Sequence, residues 1–404
     1  MVMPTSWLDE ITIEQLENNP YPIFARLRRE APIAQIPALG SWLVSTWRYC
    51  WQIASNSENF AGGTDPALEH VFGQPCVLSV DGEVHTDLRS MVDPHLRPRA
   101  VNRYIDQLAR PIARKYLAEI RDRGTAELMA EYLEPISVRS VGDVLGLQAV
   151  DSDTLRRWFH DLSSGFVNKA VDAEGNFLNP AGFARSDAAR AEIEAIINPM
   201  LDRLDKEPDD SALSHWLHDG MPPGQVRSRE YIFPTLLVIL LGGMQEPGHA
   251  CGSTLLGLFT QPEQLRRVID DQRLIPKAVT EGLRWMSPIW TTIGRRPTHD
   301  MEFGGVKLRA GENVLLSYGS ANRDETEFEQ PETYNVDRPP RPHLAFGTGQ
   351  HTCAGSYFAP QVARIALEEL LGAIPSIELD AEHEVVAWGW FFRGPRELPV
   401  RWST

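Results

Sequence analysis

Cys353 lies near the end of the stretch Phe346-Gly-Thr-Gly-Gln-His-Thr-Cys353-Ala-Gly355, which holds three glycines within ten residues. Glycines at that density form a turn that brings backbone amides close to a bound group. The cysteine sits at the start of a helical pattern over 354–371, where backbone N–H groups and the helix dipole favour a thiolate. Such a thiolate can hold iron as an axial ligand; an isolated cysteine is more often a small core residue. His85 and Arg89, in Gly82-Glu-Val-His85-Thr-Asp-Leu-Arg89, fall four apart on one helix face. Two such donors suit a pair of carboxylates, or a solvated surface. Glu281-Gly-Leu-Arg284 sets a carboxylate and a guanidinium within bonding reach on one helix. Finally, Gly242-Gly-Met-Gln245-Glu246-Pro-Gly-His249 interrupts a long apolar helix with three glycines and a proline. That break marks either a functional gap or a close helix crossing.

The elements that must position these residues are mostly helical. Helices are expected over 22–31, from the cap Thr46 onward, over most of 83–145 with breaks at Pro94, Pro98, Pro111 and Pro135, and over 151–169. Ser186 is expected to cap a helix to 204, and 212–219 forms a short one. The run 231–259 reads as one buried helix kinked at Pro247, followed by helices over 262–270 and 277–286. Residues 33–45, 301–306, 314–318 and 385–402 have strand character. Residues 61–81 and 171–182 read as loops. The class is mainly α with small β regions, and 1–404 is read as a single domain.

A net charge of −16 argues against general nucleic-acid or anionic-membrane partners. The longest apolar run, 232–243, is too short to span a bilayer. No basic region followed by an apolar run opens the chain, and the four cysteines have no close pairs, so neither a disulfide framework nor a zinc site is expected and a cytoplasmic setting fits.

Taken together, the spacing Phe-Gly-x-Gly-x-His-x-Cys-x-Gly, Glu281-x-x-Arg284, Tyr334-Asn-Val-Asp-Arg338 and Ala321-Asn-Arg-Asp324 resemble the cytochrome P450 family over nearly the whole chain. The resemblance implies haem b lying between the long central helix and the cysteine loop with its following helix. Cys353 would be the iron ligand, Phe346 would lie near its sulfur, and Gly355 belongs to the same cofactor-binding loop. His85, Arg89, His351 and Arg295, with Arg296 as the alternative to the last, would meet the propionates. Glu281, Arg284 and Arg338 would form the charge-paired scaffold below the haem. Where the family carries an acid–alcohol pair on the long helix, this chain has Gln245 and Glu246; these are the proton-handling candidates, and a peroxide-driven variant stays open.

Two further stretches, Ser214-His-Trp-Leu-His-Asp-Gly-Met-Pro-Pro-Gly-Gln225 and Trp388-Gly-Trp-Phe-Phe-Arg-Gly-Pro395, resemble the bacterial aromatic O-demethylase branch of the family. That resemblance implies O2-dependent demethylation of lignin-derived methoxyphenols, such as guaiacol, to catechols and formaldehyde. Electrons would come from NADH through a separate reductase carrying FAD and a [2Fe–2S] cluster, since no part of this chain resembles such a domain. Arg97, Arg99, Arg110 and Arg114 are candidates for docking it. Phe72, Leu78, Phe166, Val238, Gly242, Ile289, Thr292, Ile293 and Phe392 would line a pocket for a small aromatic ether. Hydroxylation of another small hydrophobic substrate and non-catalytic haem binding are the alternative functions.

Overall fold

Ala34 and Ile36 are buried on one face of a strand, while Gln35 on the other face is exposed. The computed structural model describes residues 6–63, 65–167 and 179–403. Its chain forms two compact units, Met1–Thr64 with His249–Cys353 and Glu378–Val400, and Asp65–Gly248 with Ala354–Ile377 and Arg401–Thr404.

In the first unit, Ile33–Ile36 pairs antiparallel with Ser41–Val44 across a one-turn helix, Pro37–Leu39, that Gly40 ends at φ 57°. Val314–Leu316 lies parallel to Ser41–Val44, and Arg295–Pro297 and Phe60–Gly62 complete a five-stranded sheet. Val44, Ile53, Phe60, Leu316 and Leu344 share one apolar cluster beside it. Burying each such side chain stabilises the fold by roughly 1.5–3 kcal/mol. Tyr318, expected in the strand, opens the short helix Tyr318–Ala321, whose Ser320 N–H donates to the capping Ser317 hydroxyl. The hairpin Met301–Phe303 with Val306–Leu308 turns at Gly304 and Gly305, both at positive φ.

The second unit is largely helical. The expected loop 61–81 contains a helix, Pro66–Phe72, because Asp65 caps Leu68 at 2.8 Å and Pro66 presets the first turn. Its Leu68, Val71 and Phe72 are buried, so they serve as core as well as loop anchors. Two of the expected proline breaks are absent: Pro94 and Pro111 lie inside the helices Gly82–Leu96 and Pro98–Ile120. Pro98 opens the second of these, and Pro135 stands at the start of Glu134–Leu145, directly after a π-type turn, Met129–Leu133. The buried stripe Ile105, Ala109, Ile112, Tyr116 and Ile120 runs past the exposed Pro111, so packing overrides the lost hydrogen bond. Ser186 is no cap: the helix starts at Pro180 under the Asn179 side chain and runs to Lys206. Of the expected loop 171–182, residues 171–178 lie outside the described residues. The long helix is built from Arg229–Val238, a π-type turn Ile239–Gly243, and Met244–Phe259 with Pro247 inside it. Its irregularity therefore precedes Pro247. Such π turns recur at functional positions in helices.

Candidate functional site

The cysteine loop, as far as Cys353, belongs to the first unit. Cys353 N–H donates to the Phe346 carbonyl at 2.9 Å, and Gly347 N–H to the Leu344 carbonyl at 2.9 Å. Gly347 and Gly349 take φ of 65° and 75°. A side chain on Gly349 would collide with the Ala54 carbonyl, and one on Gly347 would stand 3.3 Å from the Tyr318 hydroxyl. Only glycine fits at these two positions. Of the four free cysteines, Cys50, Cys76 and Cys251 are buried and Cys353 alone is partly accessible. Burial pushes the Cys50 thiol up and carries those of Cys76 and Cys251 to about 11 and about 12. Inert core thiols are the outcome for those three.

A buried charge network stands behind this loop. Glu281 accepts both Arg284 Nε and Nη2, at 2.9 and 2.7 Å, and Arg338 Nε at 3.0 Å. Asn335 N–H adds a bond at 3.0 Å. Glu281 and Arg284 are 4% and 2% exposed, so the pairing has to be complete. Arg284 Nη1 donates to the Asn322 carbonyl at 3.1 Å, while the Asn322 side chain accepts Leu344 N–H at 2.6 Å. The network thus reaches the loop through one asparagine. His343, just before it, is pushed down to about 4 by burial and by the Arg284 charge, and is neutral at pH 7.

Arg295 and Arg296 part company. Arg295 is buried, and among the described residues its guanidinium bonds only the Gly294 carbonyl, at 2.8 Å, with no carboxylate. Arg296 is half-buried and bonds the Gly62 carbonyl at 3.1 Å. A buried cation without an anion fits a group that brings carboxylates. His351 lies in the turn Gly349–His351 of the loop. Also in this unit, Ile289 bridges Phe392, and both are half-buried, as is Thr292; Ile293 is buried.

In the second unit, His85 is buried on Gly82–Leu96, and Arg89 pairs with Asp93 at 2.7 Å. The turn Ala354–Ser356, with Gly355, lies against that helix. Phe72 and Phe166 face each other at 5.1 Å with rings tilted by 49°. Leu78 is half-buried.

The long helix carries the clearest signal. It is buried nearly all round from Ile232 to Gly248, yet Val238, Ile239, Gly242, Gly243 and Glu246 keep accessible surface. Their three- and four-residue spacing places them on one stripe that other side chains leave uncovered. Ile239 escaped the sequence reading, though it is one residue from Val238, a named position. A Cβ on Gly242 would stand 3.1 Å from Glu246 Oε1, so the carboxyl folds back along the stripe over the glycine. Desolvation raises the Glu246 carboxyl to about 8. Gln245 lies off the stripe, 6% exposed, with its Oε1 unpartnered among the described residues. Ser137 Oγ donates to the Met244 carbonyl at 2.6 Å and fixes this irregular turn.

Of the arginines suggested for docking, Arg110 is spent on Glu368 and Glu369 at 2.9 and 2.8 Å, and Arg114 on Glu369 at 2.9 Å. Arg97 and Arg99 are exposed.

The fold and the thiol loop define a helical protein with a cysteine-centred site, and comparison with known proteins gives its family. Residues 267–373, which include Glu281, Arg284, Arg338 and Cys353, match cytochrome P450. The chain is 30% identical over 402 residues to the methyl-branched lipid omega-hydroxylase of Mycobacterium bovis, covering 94% of this chain and 90% of that one. It is 29% identical over 395 residues to the mycinamicin IV hydroxylase/epoxidase of Micromonospora griseorubida, covering 94% of each. The crystal structure of P450BioI with a ligated acyl carrier protein superposes with a TM-score of 0.85 at 25% identity, over 97% of this chain and 99% of that one. The chain belongs to the cytochrome P450 family, and is a haem monooxygenase whose iron takes a cysteine thiolate. Among the described residues no helix is long and apolar enough to cross a membrane.

Proposed function

We propose that this P450 removes the methyl group of lignin-derived methoxyphenols, guaiacol or 4-alkylguaiacols, giving a catechol and formaldehyde. The observation that carries this reading is the uncovered stripe Val238, Ile239, Gly242, Gly243 and Glu246 on the long helix, small and apolar apart from its acid, in the unit that also holds the buried Phe72–Phe166 ring pair at 5.1 Å. Cys353 would supply the thiolate, and Arg295, His351, His85 and Arg89 are the candidates that would hold the propionates. When bound, the haem would supply O2 activation, with two electrons and two protons placing one oxygen atom on the methyl carbon and releasing the other as water. The hydroxymethyl ether then breaks its C–O bond, the phenol oxygen takes the hydroxyl proton, and formaldehyde leaves.

Within this chemistry the residues of the chain hold, shield and protonate. Glu246, carrying its proton near neutral pH, is the donor on the open stripe, and Gln245, its buried neighbour, is the second proton-handling candidate. Gly242 and Val238 leave room along the stripe for a ring-sized substrate. Electrons come from NADH through a separate reductase carrying FAD and a [2Fe–2S] cluster.

A second reading has its own support. The relatives named above act, by their names, on a branched lipid and on mycinamicin IV, so alkyl hydroxylation of another hydrophobic substrate is the competitor. Purified protein with haem, NADH and a reductase of that type should release formaldehyde from guaiacol in step with NADH use. Peroxide-supported hydroxylation without formaldehyde would decide for the competitor.

A further inference from the structure

Arg393 is 2% exposed, yet among the described residues no carboxylate pairs with it. Its guanidinium is bonded to neutral oxygens alone. Nη1 donates to the carbonyls of Glu17 and Gly389 at 2.9 and 3.0 Å, and Nη2 to those of Ala387 and Asn18 at 3.1 and 3.4 Å. Nε reaches the Tyr21 hydroxyl at 3.2 Å. The same group lies over the Tyr21 and Trp290 rings, at 4.9 and 5.6 Å. A buried cation with only dipoles for partners is costly where an apolar residue would fill the space. What the arginine provides is a rigid fork joining two chain segments.

One of those segments is the hairpin whose tip carries Phe392. Ala387–Trp388 pairs with Gly394–Pro395, and Gly389 turns the chain at φ 103°, where a side chain would strike the Phe392 carbonyl. Gly389 N–H donates to the Glu17 carbonyl at 3.0 Å, the acceptor that Arg393 also uses. Arg393 N–H donates to the Pro288 carbonyl at 2.9 Å, and Trp290 N–H to that of Phe391 at 2.8 Å. Phe391 and Arg393 are thereby buried, while Phe392 between them keeps accessible surface beside Ile289.

We infer that Arg393 is a positioning residue for Phe392: it ties the 387–395 hairpin to the segment 17–21 and so fixes the ring that meets substrate. This rests on the reading of Phe392 as substrate-facing. The test uses the full-length holoenzyme with Arg393→Lys, Phe392→Ala and both together. Guaiacol affinity is read from the haem absorbance change, and backbone mobility from hydrogen exchange over 387–395. Lysine has three donors and no planar fork, so Arg393→Lys should raise exchange in the hairpin while haem content holds. Affinity should fall about tenfold, and the double variant should be no weaker than Phe392→Ala alone. Unchanged exchange with unchanged affinity overturns the inference, and so do losses that add in the double variant. If Phe392→Ala leaves guaiacol affinity intact while Arg393→Lys still loosens the hairpin, the anchor stands and the substrate role of Phe392 falls. Should Arg393→Lys fail to accumulate, Tyr21→Phe removes one bond to the fork; unchanged exchange over 387–395 in that variant overturns the anchor.

Discussion

The Glu246 carboxyl lies against the bare face of Gly242, with Oε1 3.1 Å from where a Cβ would stand. One helical turn separates the two residues, so the acid reaches back along the accessible stripe. Burial raises this carboxyl from an ordinary 4.5 to about 8. The folded protein therefore holds this proton more tightly than the unfolded chain does, and the stability that the bound proton confers is lost as pH rises from 4.5 through 8. Replacing Glu246 by Gln removes that dependence. Thermal melts across this window should show the wild type losing ground to Glu246→Gln as pH rises; parallel curves would contradict the protonated acid.

Gly242→Ala tests the contact itself. The added methyl forces the carboxyl off the glycine by a few tenths of an ångström. If Glu246 handles protons, kcat should fall several-fold, on the order of 1 kcal/mol, while KM moves less. A change confined to KM would mean that the methyl blocks substrate and leaves the acid alone.

Glu281 holds two guanidiniums in a buried network. Its replacement by Gln leaves Arg284 and Arg338 without an anion and should cost about 3–5 kcal/mol in urea unfolding. A loss below about 1 kcal/mol, the worth of an exposed pair, would show that the network is not under load.

Phe166 is 3% exposed and faces Phe72. Phe166→Ala should weaken the guaiacol-induced haem spectral change about tenfold, with Phe166→Leu intermediate because it restores most of the volume. An unaltered dissociation constant for the Ala variant would remove Phe166 from the substrate wall.

The residues with chemistry were legible from one dimension because their spacing is local. The cysteine loop, Glu281-x-x-Arg284 and the broken long helix each fall within about three helical turns of chain, where glycine content and i, i+3 geometry already restrict what can form. Proline positions misled: Pro111 sits inside a helix because a buried stripe outweighs one lost hydrogen bond, and no local pattern reports that balance. The helix Pro66–Phe72 was missed for a related reason, since seven residues carry too little apolar periodicity to stand out from a loop.

The sequence by itself determined the residue types: one thiol in a glycine turn, a carboxylate three residues before an arginine, and Glu246 where an alcohol is expected. Tertiary structure decided which of them are exposed and what they touch. It buried three of four cysteines, and of two neighbouring arginines without a carboxylate partner among the described residues it buried Arg295 and left Arg296 half-exposed. It turned Glu246 back over Gly242 and enclosed Arg393 in carbonyls contributed from opposite ends of the chain. Desolvation and hydrogen-bond partnership depend on neighbours distant in sequence, and only the folded chain brings those neighbours together.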